Sequence, residues 1–175
     1  MTATELIRDF VNTRDLLDGE EHLGTPEELD GWLETHALSR GDAKATPADL
    51  QRAIELREAL RQLLLEHTGV EVDRDTASGT LDRAARRARI ELCFERCSGA
   101  LTPAAWGIDA ALGRIVIQVH HAMTDGSWER LKACRASDCE WAFIDNARNH
   151  SRQWCDMKVC GNRAKARAFR ERRSD

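Results

Sequence analysis

No stretch of this sequence stays apolar for anything near the roughly 20 residues that a membrane-crossing helix needs. No membrane partner is therefore expected. The start, Met1-Thr2-Ala3-Thr4-Glu5, lacks a basic segment followed by an apolar core, so no secretory leader is read and a cytoplasmic, reducing setting is expected. Only three prolines occur, with no repeat or low-complexity block, which leaves no obvious flexible linker. Also missing is any recognisable motif uniting a nucleophile, a base and an orienting group, so the chain is not read as an enzyme. What is present, 42% hydrophobic and 32% charged residues in 175, fits one soluble globular domain or one with a small appendage.

Charge divides the chain. Residues 1–125 carry 14 Lys/Arg against 23 Asp/Glu, whereas residues 126–175 carry 12 against seven. The bias sharpens over residues 148–173, with nine basic and two acidic side chains, which points to a polyanionic partner for that end alone. A merely solvated cationic face is the bland alternative.

Thr25-Pro26-Glu27-Glu28 reads as a helix start, with Thr25 as cap, Pro26 at the first helical position and Glu28 closing a capping box. Thr46-Pro47-Ala48-Asp49 repeats this grammar before Leu50, Ile54, Leu60, Leu63 and Leu64, which recur at helical spacing until Gly69. Residues 89–95 alternate and Ser98-Gly99 turns the chain back, so a hairpin is predicted over 89–106. Leu112, Ile115, Val116 and Val119 restore a helical repeat that ends near Asp125-Gly126. The expected class is α+β and mainly helical, with a helical domain carrying a small β-hairpin over 1–126 and a separate unit over 127–175.

That second unit is defined by cysteine. Cys134, Cys139, Cys155 and Cys160 form two C-x4-C pairs separated by 15 residues. Two close pairs can each supply half of the tetrahedral thiolate shell that zinc prefers, while the intervening segment folds as a hairpin. Residues 140–145 read as a strand, 146–149 as a turn and 151–154 as the returning strand. Asp156 then caps a helix that carries Cys160 and runs to about Arg172. Knuckle, hairpin and helix in this order give a treble-clef-like zinc finger with one structural Zn2+. Disulfides are disfavoured by the expected compartment, and a redox dithiol would more often show C-x2-C beside a βαβ pattern. Cys93 and Cys97 lie in or beside the first hairpin and read as small core residues; with His120 and His121 they make at most a weak second metal candidate. Asn149-His150-Ser151 matches a glycosylation pattern that has no use without secretion.

On the last helix Arg163, Arg167 and Arg170 fall at i, i+4 and i+7 and share a face. Lys165, Arg172 and Arg173 flank it, and Arg148 and Arg152 come from the hairpin. Arginine forks match phosphate oxygens, so these eight residues are the candidate nucleic-acid contacts. Arg163 has a second reading, in which its guanidinium turns inward and neutralises a zinc tetrathiolate. Trp141, Trp154 and Phe169 could stack on bases, but aromatics beside a small zinc site more often form its core. Gly161 and Asn162 read as architectural.

The string Cys160-Gly161-Asn162-Arg163, with Arg130-Leu131-Lys132-Ala133-Cys134, Asp138-Cys139-Glu140-Trp141-Ala142-Phe143-Ile144-Asp145 and Arg152-Gln153-Trp154-Cys155-Asp156-Met157, resembles the bacterial CGNR zinc-finger family. Upstream, Asp9-Phe10-Val11-Asn12-Thr13, Leu29-Asp30-Gly31-Trp32-Leu33 and Leu56-Arg57-Glu58-Ala59-Leu60 are similar to the ABATE domain, a proposed stress-induced transcription regulator. The resemblance implies a four-cysteine zinc site and a DNA-binding role. The resulting expectation is a bacterial transcriptional regulator whose finger contacts DNA. Its upstream domain would sense a signal or dimerise, leaving a second copy, a small molecule or another protein as partners. Two other readings stay open: a protein or RNA adaptor with purely structural zinc, and a sensor in which thiolate oxidation or metal exchange is the signal.

Overall fold

Each of the first three helices starts on a threonine whose hydroxyl accepts from the backbone N–H three residues on, while the acidic residue there reaches back to the cap. These are α1 (Ala3–Val11), α2 (Pro26–Thr35) and α3 (Pro47–Glu66), in a computed structural model that describes residues 1–39, 43–95 and 98–172. There follow α4 (Arg74–Ala88), β1 (Ile90–Glu95), β2 (Ser98–Pro103), α5 (Gly107–Thr124), β3 (Leu131–Ala133), β4 (Ala142–Ile144) and α6 (Asn162–Glu171). The mainly helical body, its small hairpin and the four-cysteine cluster beyond them are as the sequence predicts. Helices α1 and α4 were not read from the sequence. The first hides behind a cap at residue two; the second is so polar that only Ala77, Leu81 and Ala88 are buried along it.

The core gathers Ile7, Phe10 and Val11 of α1, Leu29 and Leu33 of α2, Leu56, Leu60 and Leu64 of α3, and Ile115 of α5. It does not stop at residue 126. Leu131, Ala133 and Ala142, from the strands that flank the first cysteine pair, belong to the same apolar cluster. Helices α4 and α5 cross closely at Gly113, where a Cβ would lie 2.3 Å from that of Ala88, so only glycine permits the approach. Antiparallel β1 and β2 pair from Ile90↔Pro103 to Glu95↔Ser98, and this hairpin leans on α5.

One expected element is absent. Residues 151–154 form no strand, and β4 pairs with β3 instead, Lys132 opposite Phe143. The reason is electrostatic. The buried Lys132 ammonium donates to Asp145 Oδ2 at 2.8 Å and to the carbonyls of His150 and Arg152. Asp145 in turn accepts from the backbone N–H groups of Ala147 and Arg152. An ion pair thus organises residues 145–152 as a loop wrapped on β3, and their backbone groups are spent on it rather than on a ladder.

Candidate metal centre

The first cysteine pair sits where β3 turns into β4. Cys134 N–H donates to Trp141 O at 3.0 Å, and the N–H groups of Cys139 and Glu140 both donate to Ala136 O. Glu140 takes a left-handed conformation, φ 48°, which folds the knuckle back on itself. The second pair sits on a different device. Asp156 accepts from the N–H groups of Lys158 and Val159 and starts a wide turn of π-helix, Met157–Gly161, that carries Cys160 before α6 begins. Gly161 lets the Met157 side chain fold close over the turn, since a Cβ would lie 2.3 Å from Met157 Sδ and the methionine would have to move aside.

These two devices bring the four sulfurs within 4.8 Å of one another. The Cys139–Cys155 separation is 3.6 Å and that of Cys155–Cys160 is 3.7 Å. A tetrahedral zinc with Zn–S bonds near 2.3 Å places its sulfurs about 3.8 Å apart, so the donor set fits one ion. Cys134, Cys139 and Cys160 are buried and Cys155 is half-buried. Hydrogen bonds from Cys139 and Cys155 hold Cys134 far below the ordinary thiol range, and the same contacts raise its two neighbours. A bound divalent ion would favour the thiolate at all four positions. With four sulfurs around it, such an ion keeps no open position for a reacting water; its role is architectural.

The basic residues divide around this cluster. Arg163 turns inward: its Nη2 donates to Cys160 Sγ at 3.4 Å, and its Nη1 lies 3.5 Å from Asp138. This is the arrangement that offsets the charge of a tetrathiolate. Arg167 also reaches Asp138, at 3.4 Å. Arg152 lies over the Phe143 ring and donates to Cys155 O at 2.6 Å. Arg148, Lys165, Arg170 and Arg172 are exposed, and Arg173 lies outside the described residues. Trp141 and Trp154 pack against the cysteine cluster, whereas Phe169 is exposed.

Of the remaining cysteines, Cys93 lies 3.1 Å from Thr102 Oγ1 on the hairpin, and Cys97 falls outside the described residues. Among the described residues, neither Cys93 nor the adjacent His120 and His121 joins a group able to hold a metal. Residues that the sequence reading overlooked hold the site from below. Asn12 bonds both backbone groups of Ala142, and Arg61 donates to Glu140 O. His67 bonds Leu131 O at 2.7 Å, and Thr68 donates to Ala133 O. Every one of them belongs to the helical body. The only signal in the sequence was Asn12 within the upstream motif.

Comparison with known families agrees with both parts of this description. Residues 130–173 match the model of the CGNR zinc finger. Residues 5–126 match that of ABATE, whose description is "Putative stress-induced transcription regulator". No curated protein matches the chain.

Proposed function

We propose that this chain, which belongs to the ABATE family and continues into a CGNR zinc finger, regulates transcription by binding DNA through that finger. The observation that carries the reading is the exposed cationic set Arg148, Lys165, Arg170 and Arg172 around a cluster that one ion can make rigid. Cys134, Cys139, Cys155 and Cys160 hold the zinc, and Arg163 offsets its charge. Arg152 is turned toward its own backbone, so it shapes the loop more than it meets a ligand. Arg167 keeps donors beyond its Asp138 contact and extends the exposed stripe. Phosphates would meet arginine forks there, releasing counterions. The acidic helical body opposes indiscriminate adhesion to DNA, which leaves room for a signal or a second copy of the chain to set affinity.

The test is duplex binding by the zinc-loaded protein at several salt concentrations. Log affinity should fall linearly with log salt, and replacing Lys165, Arg170 and Arg172 by alanine should flatten the slope by about one per residue. Identical slopes for wild type and variant would remove this surface from the reading. A redox role has one specific point in its favour, the half-exposed Cys155 within 3.6 Å of Cys139. Peroxide that leaves zinc bound would dispose of it.

A further inference from the structure

The hairpin of β1 and β2 is a sheet of only two strands. Such a pair is marginal in water without support, and here α5 supports β2. Among the described residues no other element packs closely on β1, so its outer edge is open. Nothing blunts that edge. The six residues Ile90-Glu91-Leu92-Cys93-Phe94-Glu95 contain no proline or lysine, and their register with β2 runs without a bulge. Ile90, Leu92 and Phe94 share one face of the strand, where Leu92 is 56% and Phe94 79% exposed. Phe94 stands opposite Gly99 and finds no side chain there to pack on.

Backbone polarity follows the same alternation. One position beyond the ladder, Ala104 N–H donates to Arg89 O at 3.1 Å, which extends the hydrogen-bonded pairs to that point. In an antiparallel ladder such pairs alternate with open ones, so Glu91 and Cys93 direct their backbone groups to β2, while Ile90, Leu92 and Phe94 direct theirs outward. Pro103, which has no N–H, accordingly falls in the open pair with Ile90. Three residues thus present both outward backbone groups and apolar side chains.

We propose that β1 pairs antiparallel with β1 of a second copy of the chain about a two-fold axis at Leu92, joining the two hairpins into one four-stranded sheet. The strand is complementary to itself in this register. Leu92 faces the partner's Leu92, Ile90 the partner's Phe94, Glu91 the partner's Cys93 and Arg89 the partner's Glu95. Arg89 gives one donor to Ala104 O at 2.7 Å and has others to offer. Moving the axis by one residue either way sets glutamate against glutamate, Glu91 on Glu91 or Glu91 on Glu95, and like charges directly opposite are unfavourable. The tip of each hairpin lies beside the root of the other, so the exposed Phe94 gains Ile90 as a neighbour. Both β1 edges are consumed by the pairing, and assembly stops at two. The second copy considered above thereby gains a surface, one that rests on no contact with DNA.

The experiment is sedimentation equilibrium of the full zinc-loaded chain without nucleic acid. Wild type is expected to dimerise with Kd below about 100 μM, in the range of a small, transient interface. Leu92→Lys and Leu92→Glu should each weaken the dimer at least about tenfold, because like charges then meet on the axis. Their circular dichroism should be unchanged, since residue 92 is exposed in the single chain. Mixed in equal amounts, the two variants should regain a dimer of one copy each, because the substituted positions face each other. A wild type that stays monomeric to about 100 μM would overturn the proposal and leave the edge to a strand of another protein. Variants that associate as wild type does, or a mixture no better than either variant alone, would overturn it equally. None of these measurements involves nucleic acid, so failure here and failure of the DNA-binding reading are separately visible.

Discussion

The two halves of the metal site are built on different foundations. Around Cys134 and Cys139 the backbone is gripped by Asn12, Arg61, His67 and Thr68, and its flanking strands sit in the main core. Around Cys155 and Cys160 the grip is thin. Arg135 N–H donates to Gln153 O, Asp138 meets Arg163 and Arg167, and α6 packs chiefly on the turn that precedes it. One half is therefore preorganised by the protein, while the other waits for the ion. The difference identifies which part a metal can switch: the basic helix moves with the half that depends on zinc.

Metal removal should expose this contrast most strongly, since structural zinc stabilises comparable fingers by an apparent ~10 to 16 kcal/mol at neutral pH. After chelation, amide exchange is expected to become fast over 153–171 while β3, β4 and the helical body stay protected. Uniform loss of protection over both halves would show that the foundations are shared after all. Next in size is Arg61→Ala. This guanidinium is 1% exposed and donates to Glu58, Val11 O, Arg14 O and Glu140 O, tying α1 and α3 to the knuckle. Truncation leaves several carbonyls unanswered, the buried Val11 O among them, and takes one partner from the half-exposed Glu58, at a cost of about 3 kcal/mol in denaturant unfolding. Zinc affinity should fall with it, because the helical body then grips the first pair less firmly.

Acid should separate the halves by order of loss. Metal ligands must be thiolates, so protons compete for them well before ordinary carboxylates titrate. In the helical body, burial pushes the Glu21 carboxyl up. The two-pronged Arg57 contact, at 2.6 and 2.9 Å, and the Leu23 N–H outweigh it, so the group ends below its ordinary value. A carboxyl lowered on folding contributes stability above its unfolded value, about 4.3, and loses it as pH falls through the lowered one. Zinc release, followed with a chromogenic chelator, is thus expected at higher pH than the loss of helical circular dichroism. Simultaneous transitions would contradict the separation.

Much of this plan was visible in the chain before folding. The Thr-Pro starts at 25 and 46 gave α2 and α3 because capping is a local matter, and the paired cysteines gave the cluster because ligand number and spacing are written in sequence. The strand partner of β4 was not legible. After the turn residues 146–149, 151–154 read as a returning strand, and nothing local reveals that Lys132 and Asp145, 13 residues apart, bury an ion pair that claims backbone groups of this loop. Arg57 and Arg61 were hidden for the same reason: charge on a helix usually marks its wet face, and here long-range partners draw it inside.

The smallest expected effect tests the seam between the halves. Asp138, beside Cys139 in the first pair, faces Arg163 and Arg167 of α6 at 3.5 and 3.4 Å. All three side chains are substantially exposed, so the pair energies are screened and Asp138→Ala should cost no more than about 1 kcal/mol in unfolding. Its use as a probe lies elsewhere. Freed from Asp138, both arginines gain reach, and the net positive charge near α6 rises. DNA affinity at low salt should therefore rise slightly as stability falls slightly. Opposite signs in the two measurements would mark Asp138 as a tether that holds the cationic helix against the knuckle. A fall in both would mean that α6 needs this contact to present its cations at all.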